Sequence, residues 1–230
     1  MISSGASLIG SICGIGGGII IKPTLDAFGV LEVAVISFLS SYTVLSMSCY
    51  SIGKAWVGKS MVVDVKRTTP LAIGAALGGV AGTYLLQLLF AQLPQQKTVS
   101  IIQTSLLLIQ PVGTLLYTLM KQRIKTKNIH SPASAVGIGA LLGSTSAFLG
   151  IGGGPVNPVV LQYFFSMPVK AAAQSSLYII LFSQVAGILN TVLSGRTPTF
   201  SVPLLLLMVA GGIFVGILVL CQVRNYKMMG

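Results

Sequence analysis

GIGGGIIIKP occupies residues 14–23, and GIGGGPVNP occupies residues 150–158. Glycines at alternate and then consecutive positions, with a proline just beyond, cannot continue an α-helix. Yet both motifs lie inside long uncharged apolar stretches. The second stretch, 131–169, would extend about 58 Å as one helix, well past a hydrocarbon core of about 30 Å. Each stretch is therefore expected to break into two half-helices around an unwound glycine turn. Irregular backbone at membrane depth is tolerated only where it is buried in protein or lines a cavity.

The rest of the chain supplies that membrane. Of 230 residues, 14 are Lys or Arg and 3 are Asp or Glu. Charged residues make up 7%, apolar residues 53%, and the mean hydropathy is +0.91. So few charges could not cover a soluble domain, which ordinarily carries about 25%. Stretches 1–21, 33–53, 68–96, 98–120, 131–169, 171–195 and 197–223 contain no Asp, Glu, Lys or Arg. Each is long enough to cross a bilayer as a helix, and none alternates as a barrel strand would. The expected fold class is all-α, a polytopic helical membrane protein. The chain is expected in the plasma membrane with the lipid bilayer as partner.

The two motifs also mark a repeat. EVAVIS (32–37) matches KAAAQS (170–175), Pro70 matches Pro203, and Gly78 and Gly82 match Gly212 and Gly216. An ordered series at nearly constant offset is a duplication signature, a common plan of secondary transporters. The repeats run over 1–128 and 129–230. The helix at 98–120 closes the first, and no counterpart follows 197–223, so the second is expected to lack its last helix.

Cation placement orients the chain. If each glycine segment crosses the bilayer once, the Lys and Arg residues divide 9 against 5. If each is a re-entrant hairpin, Lys54, Lys59, Lys66, Arg67, Lys121, Arg123, Lys125, Lys127, Lys170, Arg224 and Lys227 share one side. That leaves 3 opposite: Lys22, Lys97 and Arg196. The hairpin arrangement obeys the positive-inside rule better and makes the repeats inverted. Both arrangements put loops 54–67 and 121–130 in the cytoplasm. The net charge of +11 is accounted for by these loops, so no nucleic-acid partner is implied.

Two facing glycine turns present converging backbone N–H groups and the positive ends of half-helices, an anion site without fixed charge. Candidate substrate ligands are Gly14, Gly16, Gly17, Gly18 and Pro23, with Gly150, Gly152, Gly153, Gly154 and Pro158. Lys22 and its counterpart Asn157 could both donate to an oxyanion, although Lys22 could equally snorkel to the interface as an anchor. Ser37, Gln174 and Ser175 stand at helix starts nearest the turns. Other serines, such as Ser41 and Ser48, are expected to bond their own helix, and Gly74, Gly78 and Gly82 to allow close packing. A dinucleotide fingerprint is excluded, because positions 19 and 155 are Ile and Pro. A single histidine, His130, and dispersed Cys13, Cys49 and Cys221 give no metal or disulfide framework. No catalytic residue and no cofactor is implied, so the chain is not expected to be an enzyme.

GIGGGIIIKP, GIGGGPVNP and VKAAAQSSL (169–177) together resemble the sulfite exporter family TauE/SafE, and the likeness covers nearly the whole chain. The resemblance implies about eight membrane segments in two homologous halves. It also implies transport of sulfur-containing anions such as sulfite, thiosulfate or organosulfonates. The expectation is a secondary carrier for small anions held between the two turns. A passive channel, or a truncated transporter inactive without a further helix, remains the alternative, and homo-oligomerisation is open.

Overall fold

A computed structural model describes residues 33–58, 62–92, 96–120, 126–129, 131–151, 153–195, 209, 210 and 213. The first glycine motif, with Gly14, Gly16, Gly17, Gly18, Lys22 and Pro23, lies outside the described residues, as does Gly152. Among the described residues the ordered elements are six helices and no strand. They are α1 (Val33–Val57), α2 (Val65–Gln92), α3 (Gln96–Met120), α4 (Pro132–Leu149), α5 (Val156–Phe165) and α6 (Val169–Leu193). Five of them are long and apolar enough to cross a membrane, and α5, with ten residues, reaches only about 15 Å. The uncharged stretch 131–169 is thus broken where its glycines lie.

The closest packing joins α2 to α4. A Cβ on Gly74, Gly78 or Gly82 would fall on the backbone of Val136, Ala140 or Ser144, respectively. Reciprocally, a Cβ on Gly139 or Gly143 would meet the backbone of Leu71 or Ala75. Glycine lets two backbones touch where lipid supplies no hydrophobic drive for association. Residue numbers rise together along both sides of this seam, so α2 and α4 run parallel.

Helix α6 also runs parallel to α2. Gln174 Oε1 accepts from the Val62 backbone N–H at 2.8 Å, and Thr68 Oγ1 donates to Ser175 Oγ at 3.4 Å. Farther along, Gly79 faces Ser183, and Asn190 Nδ2 reaches Thr83 Oγ1 at 3.5 Å. The segment between α1 and α2 is too short to return along α2, which extends about 42 Å. Hence α1 ends near the start of α2 and runs antiparallel to it and to α6, against which it packs.

One end of the bundle therefore collects the starts of α2, α4 and α6 and the end of α1. It carries Lys54, Lys66, Arg67, Lys127 and Lys170, all exposed, and is called the basic end below. Trp56, 74% exposed, and Tyr50, whose ring lies 5.6 Å from Lys54 Nζ, lie on the last turns of α1 at the same end. That combination suits a membrane–water interface. The main core sits where four helices converge: Leu71 and Ala75 of α2, Ala135 of α4, Leu161 and Phe165 of α5, Ala172 and Ile179 of α6.

Candidate functional site

The second glycine motif forms the turn between α4 and α5. Helix α4 ends at Leu149, and Gly150 takes the left-handed conformation (φ 63°, ψ 27°) with its N–H on the Ala147 carbonyl at 3.1 Å. A side chain in that conformation is disfavoured, which explains glycine at this position. Helix α5 begins at Val156 with Pro155 as its N-cap, and the Asn157 N–H bonds the Gly154 carbonyl at 3.2 Å. Gly150, Ile151, Gly153, Gly154, Pro155, Asn157 and Pro158 are all buried. Here the carbonyl end of one helix and the N–H end of another meet away from solvent. Their dipoles offer opposite partial charges within one short turn.

Helix α3 holds this turn. Gln103 Nε2 donates to the Phe148 carbonyl at 2.7 Å, satisfying one of the open carbonyls at the end of α4. Leu107 packs with Leu149 and Ile151. Gln110 Oε1 lies 2.5 Å from where a Cβ on Gly154 would stand, so any side chain there would have to displace that amide. Residues 107–110 are the middle of α3, and the turn is therefore level with the middle of a membrane-length helix.

From the turn, α5 runs back beside the second half of α3. The Tyr163 ring meets Tyr117 edge-on at 6.1 Å, and the Tyr163 and Phe164 carbonyls accept the N–H groups of Lys127 and Ile129 at 2.8 and 2.9 Å. Ser166 Oγ donates to Thr126 Oγ1 at 2.8 Å. The chain thus leaves α5 beside the segment that leads into α4, at the basic end. A cleft of about 90 Å³ opens there, lined by Lys66, Arg67, Ser131 and Phe165 among others. Arg67 Nε stands 3.5 Å from Asp64 Oδ2.

The sequence candidates fall into separate places. Gly150, Gly153, Gly154, Asn157 and Pro158 share the turn and the first turn of α5. Gln174 and Ser175 lie at the basic end, bonded to Val62 and Thr68 as described. Ser37 is buried near the start of α1, at the opposite end from Ser175. Ser41 Oγ donates to the Ser37 carbonyl at 2.9 Å, the local bond expected of a membrane serine. Ser40, Ser48 and Ser183 have buried hydroxyls without a hydrogen-bond partner among the described residues.

Gln103 and Gln110 escaped the sequence reading. A signal was present: Gln103, Gln110, Thr114 and Tyr117 fall on one stripe of a largely apolar helix.

Comparison with known proteins agrees with this architecture. The family model for "Sulfite exporter TauE/SafE" matches residues 1–225. The probable membrane transporter protein YunE of Bacillus subtilis (strain 168) is 26% identical, over 83% of this chain and 76% of that protein. No solved structure matches the chain. With nearly its whole length matched by the family and five membrane-length helices, the chain belongs to the sulfite exporter TauE/SafE family and is a multi-pass membrane transporter.

Proposed function

We propose that the chain is a secondary carrier for small anions, sulfur oxyanions and organosulfonates foremost, which bind at the 150–158 turn together with its counterpart at 14–18. In this reading each glycine segment is a re-entrant hairpin. The repeats 1–128 and 129–230 are inverted, and the basic end is cytoplasmic. One observation carries the reading: the chain enters α4 and leaves α5 at the same end, with the glycine turn level with the middle of α3. A broken helix at mid-depth, presenting N–H groups toward a solute, is how many secondary transporters hold an anion. The sulfur-anion class comes from the family's name and from the motif resemblance. The basic end supports a cytoplasmic assignment through the positive-inside rule.

Lys22 and Asn157 would add side-chain donors at pseudo-equivalent positions, and Ser37, Gln174 and Ser175 would line the approaches from opposite ends. Counterflow in proteoliposomes tests the proposal. A carrier loaded with unlabelled sulfite or an organosulfonate accelerates uptake of labelled anion. Uptake without such trans-stimulation would indicate a channel, and no uptake of any anion would refute the assignment.

A further inference from the structure

Helix α3 is turned inside out relative to a soluble amphipathic helix. Its membrane window is only 11% buried, and Leu108, Ile109, Val112, Leu115 and Leu119 are all more than half exposed. The stripe turned toward the protein is instead Gln103, Leu107, Gln110, Thr114 and Tyr117, polar at four of five positions. Two of its buried atoms, Gln110 Oε1 and Tyr117 Oη, have no hydrogen-bond partner among the described residues. Buried polar atoms left without a protein partner are ordinarily met by water or a solute, because leaving them dry is costly. Pro111 adds a third polar group to the same region, since it has no N–H to offer the Leu107 carbonyl.

We infer that the seam between α3 and α5 is the water-accessible half-passage joining the glycine turn to the basic end. It starts at Gln110, beside Gly154, and ends about 10 Å along α3 at Tyr117, next to Tyr163. The edge-on Tyr117–Tyr163 pair closes it at the rim, where Lys127 supplies positive charge. The alternative for the stripe, simple packing, leaves both orphaned atoms unexplained. This inference rests on the carrier reading for its cargo, but the presence of water in the seam does not.

Single cysteines introduced in the full chain test it. Thr114→Cys and Tyr117→Cys probe the seam, and Leu108→Cys and Leu115→Cys probe the lipid face, with native cysteines retained and labelling read peptide by peptide by mass spectrometry. Membrane vesicles of either orientation are treated with membrane-impermeant methanethiosulfonates, one bearing a sulfonate and one a quaternary ammonium. The seam positions are expected to react at least tenfold faster than the lipid-face positions. They should react from the basic-end side and faster with the sulfonate. Thr114→Cys is the milder change, so poor insertion of Tyr117→Cys does not remove the test. Seam rates equal to those at Leu108 and Leu115 would overturn the passage, and no preference for the sulfonate would overturn its assignment to anions. Fast seam labelling without anion counterflow would keep the passage and refute the carrier. Counterflow with an unreactive seam would do the reverse.

Discussion

Replacing Gly78 by alanine adds one methyl group at the tightest seam of the bundle. Its Cβ would lie 2.7 Å from the Ala140 carbonyl carbon and 2.8 Å from Ala140 Cα, with the carbonyl oxygen nearer still. Those atoms are backbone, so no rotamer change relieves the clash and α2 must move away from α4. Overpacking of this kind costs about 1–3 kcal/mol. Neighbouring Gly74 and Gly82 lose their own close approach as the helices part. Gly113 is the matched comparison, a glycine in α3 whose Cβ would meet nothing within 4 Å. There alanine should gain up to about 1 kcal/mol of helix propensity. The two substitutions are chemically identical and share that propensity gain, so they should differ by the overpacking cost, roughly 1–3 kcal/mol. Heating the detergent-solubilised variants and measuring the monodisperse fraction should place Gly78→Ala several degrees below the parent. Gly113→Ala should be at or above it. Equal midpoints for the two variants would refute the parallel glycine seam on which the helix directions rest.

Gln103→Leu removes the donor that holds the Phe148 carbonyl and should lower thermal stability by about 1–3 kcal/mol, read in the same heating assay. Gly150→Ala forces a side chain into a left-handed position and should cost about 1–2 kcal/mol, against little change for Gly137→Ala, where space is open. Lys22→Gln keeps a donor but removes charge; if its ammonium binds the anion, affinity in titration calorimetry should fall severalfold, by about 1 kcal/mol. Unchanged affinity would make Lys22 an interface anchor. A reporter fused after Gly230 should be active in the cytoplasm, because Arg224 and Lys227 belong with the basic end in the hairpin topology.

Much of the fold was legible because its causes are local. Uncharged length marks a membrane helix, and the helices at 33–57, 65–92, 96–120 and 169–193 overlie the uncharged stretches closely. The break at 150–155 was legible for the same reason, since Gly150 and Pro155 act on their own backbone. The glycine ladder of α2 was read as a packing face, but its partner α4 was not, because the facing residues Val136, Ala140 and Ser144 are ordinary in sequence. The same limit hid Gln103 and Gln110. Their importance lies in what they touch, a turn some 45 residues away in sequence, and spacing within α3 shows only that a stripe exists. Gln174 and Ser175 were chosen for lying soon after the motif, whereas the α5 helix carries the chain back to the basic end before α6 begins.

The central claim is that the glycine turn at 150–154 holds the transported anion. Counterflow of labelled sulfite and of an organosulfonate in proteoliposomes tests it most directly when the parent is compared with Gly154→Leu. The turn should still insert with leucine there if the Gln110 amide gives way, since the contact is with a side chain. The expected result is saturable, trans-stimulated uptake by the parent, and its loss in a variant that reaches the membrane in comparable amount. Normal uptake by Gly154→Leu, or no movement of any anion by the parent, would contradict the account.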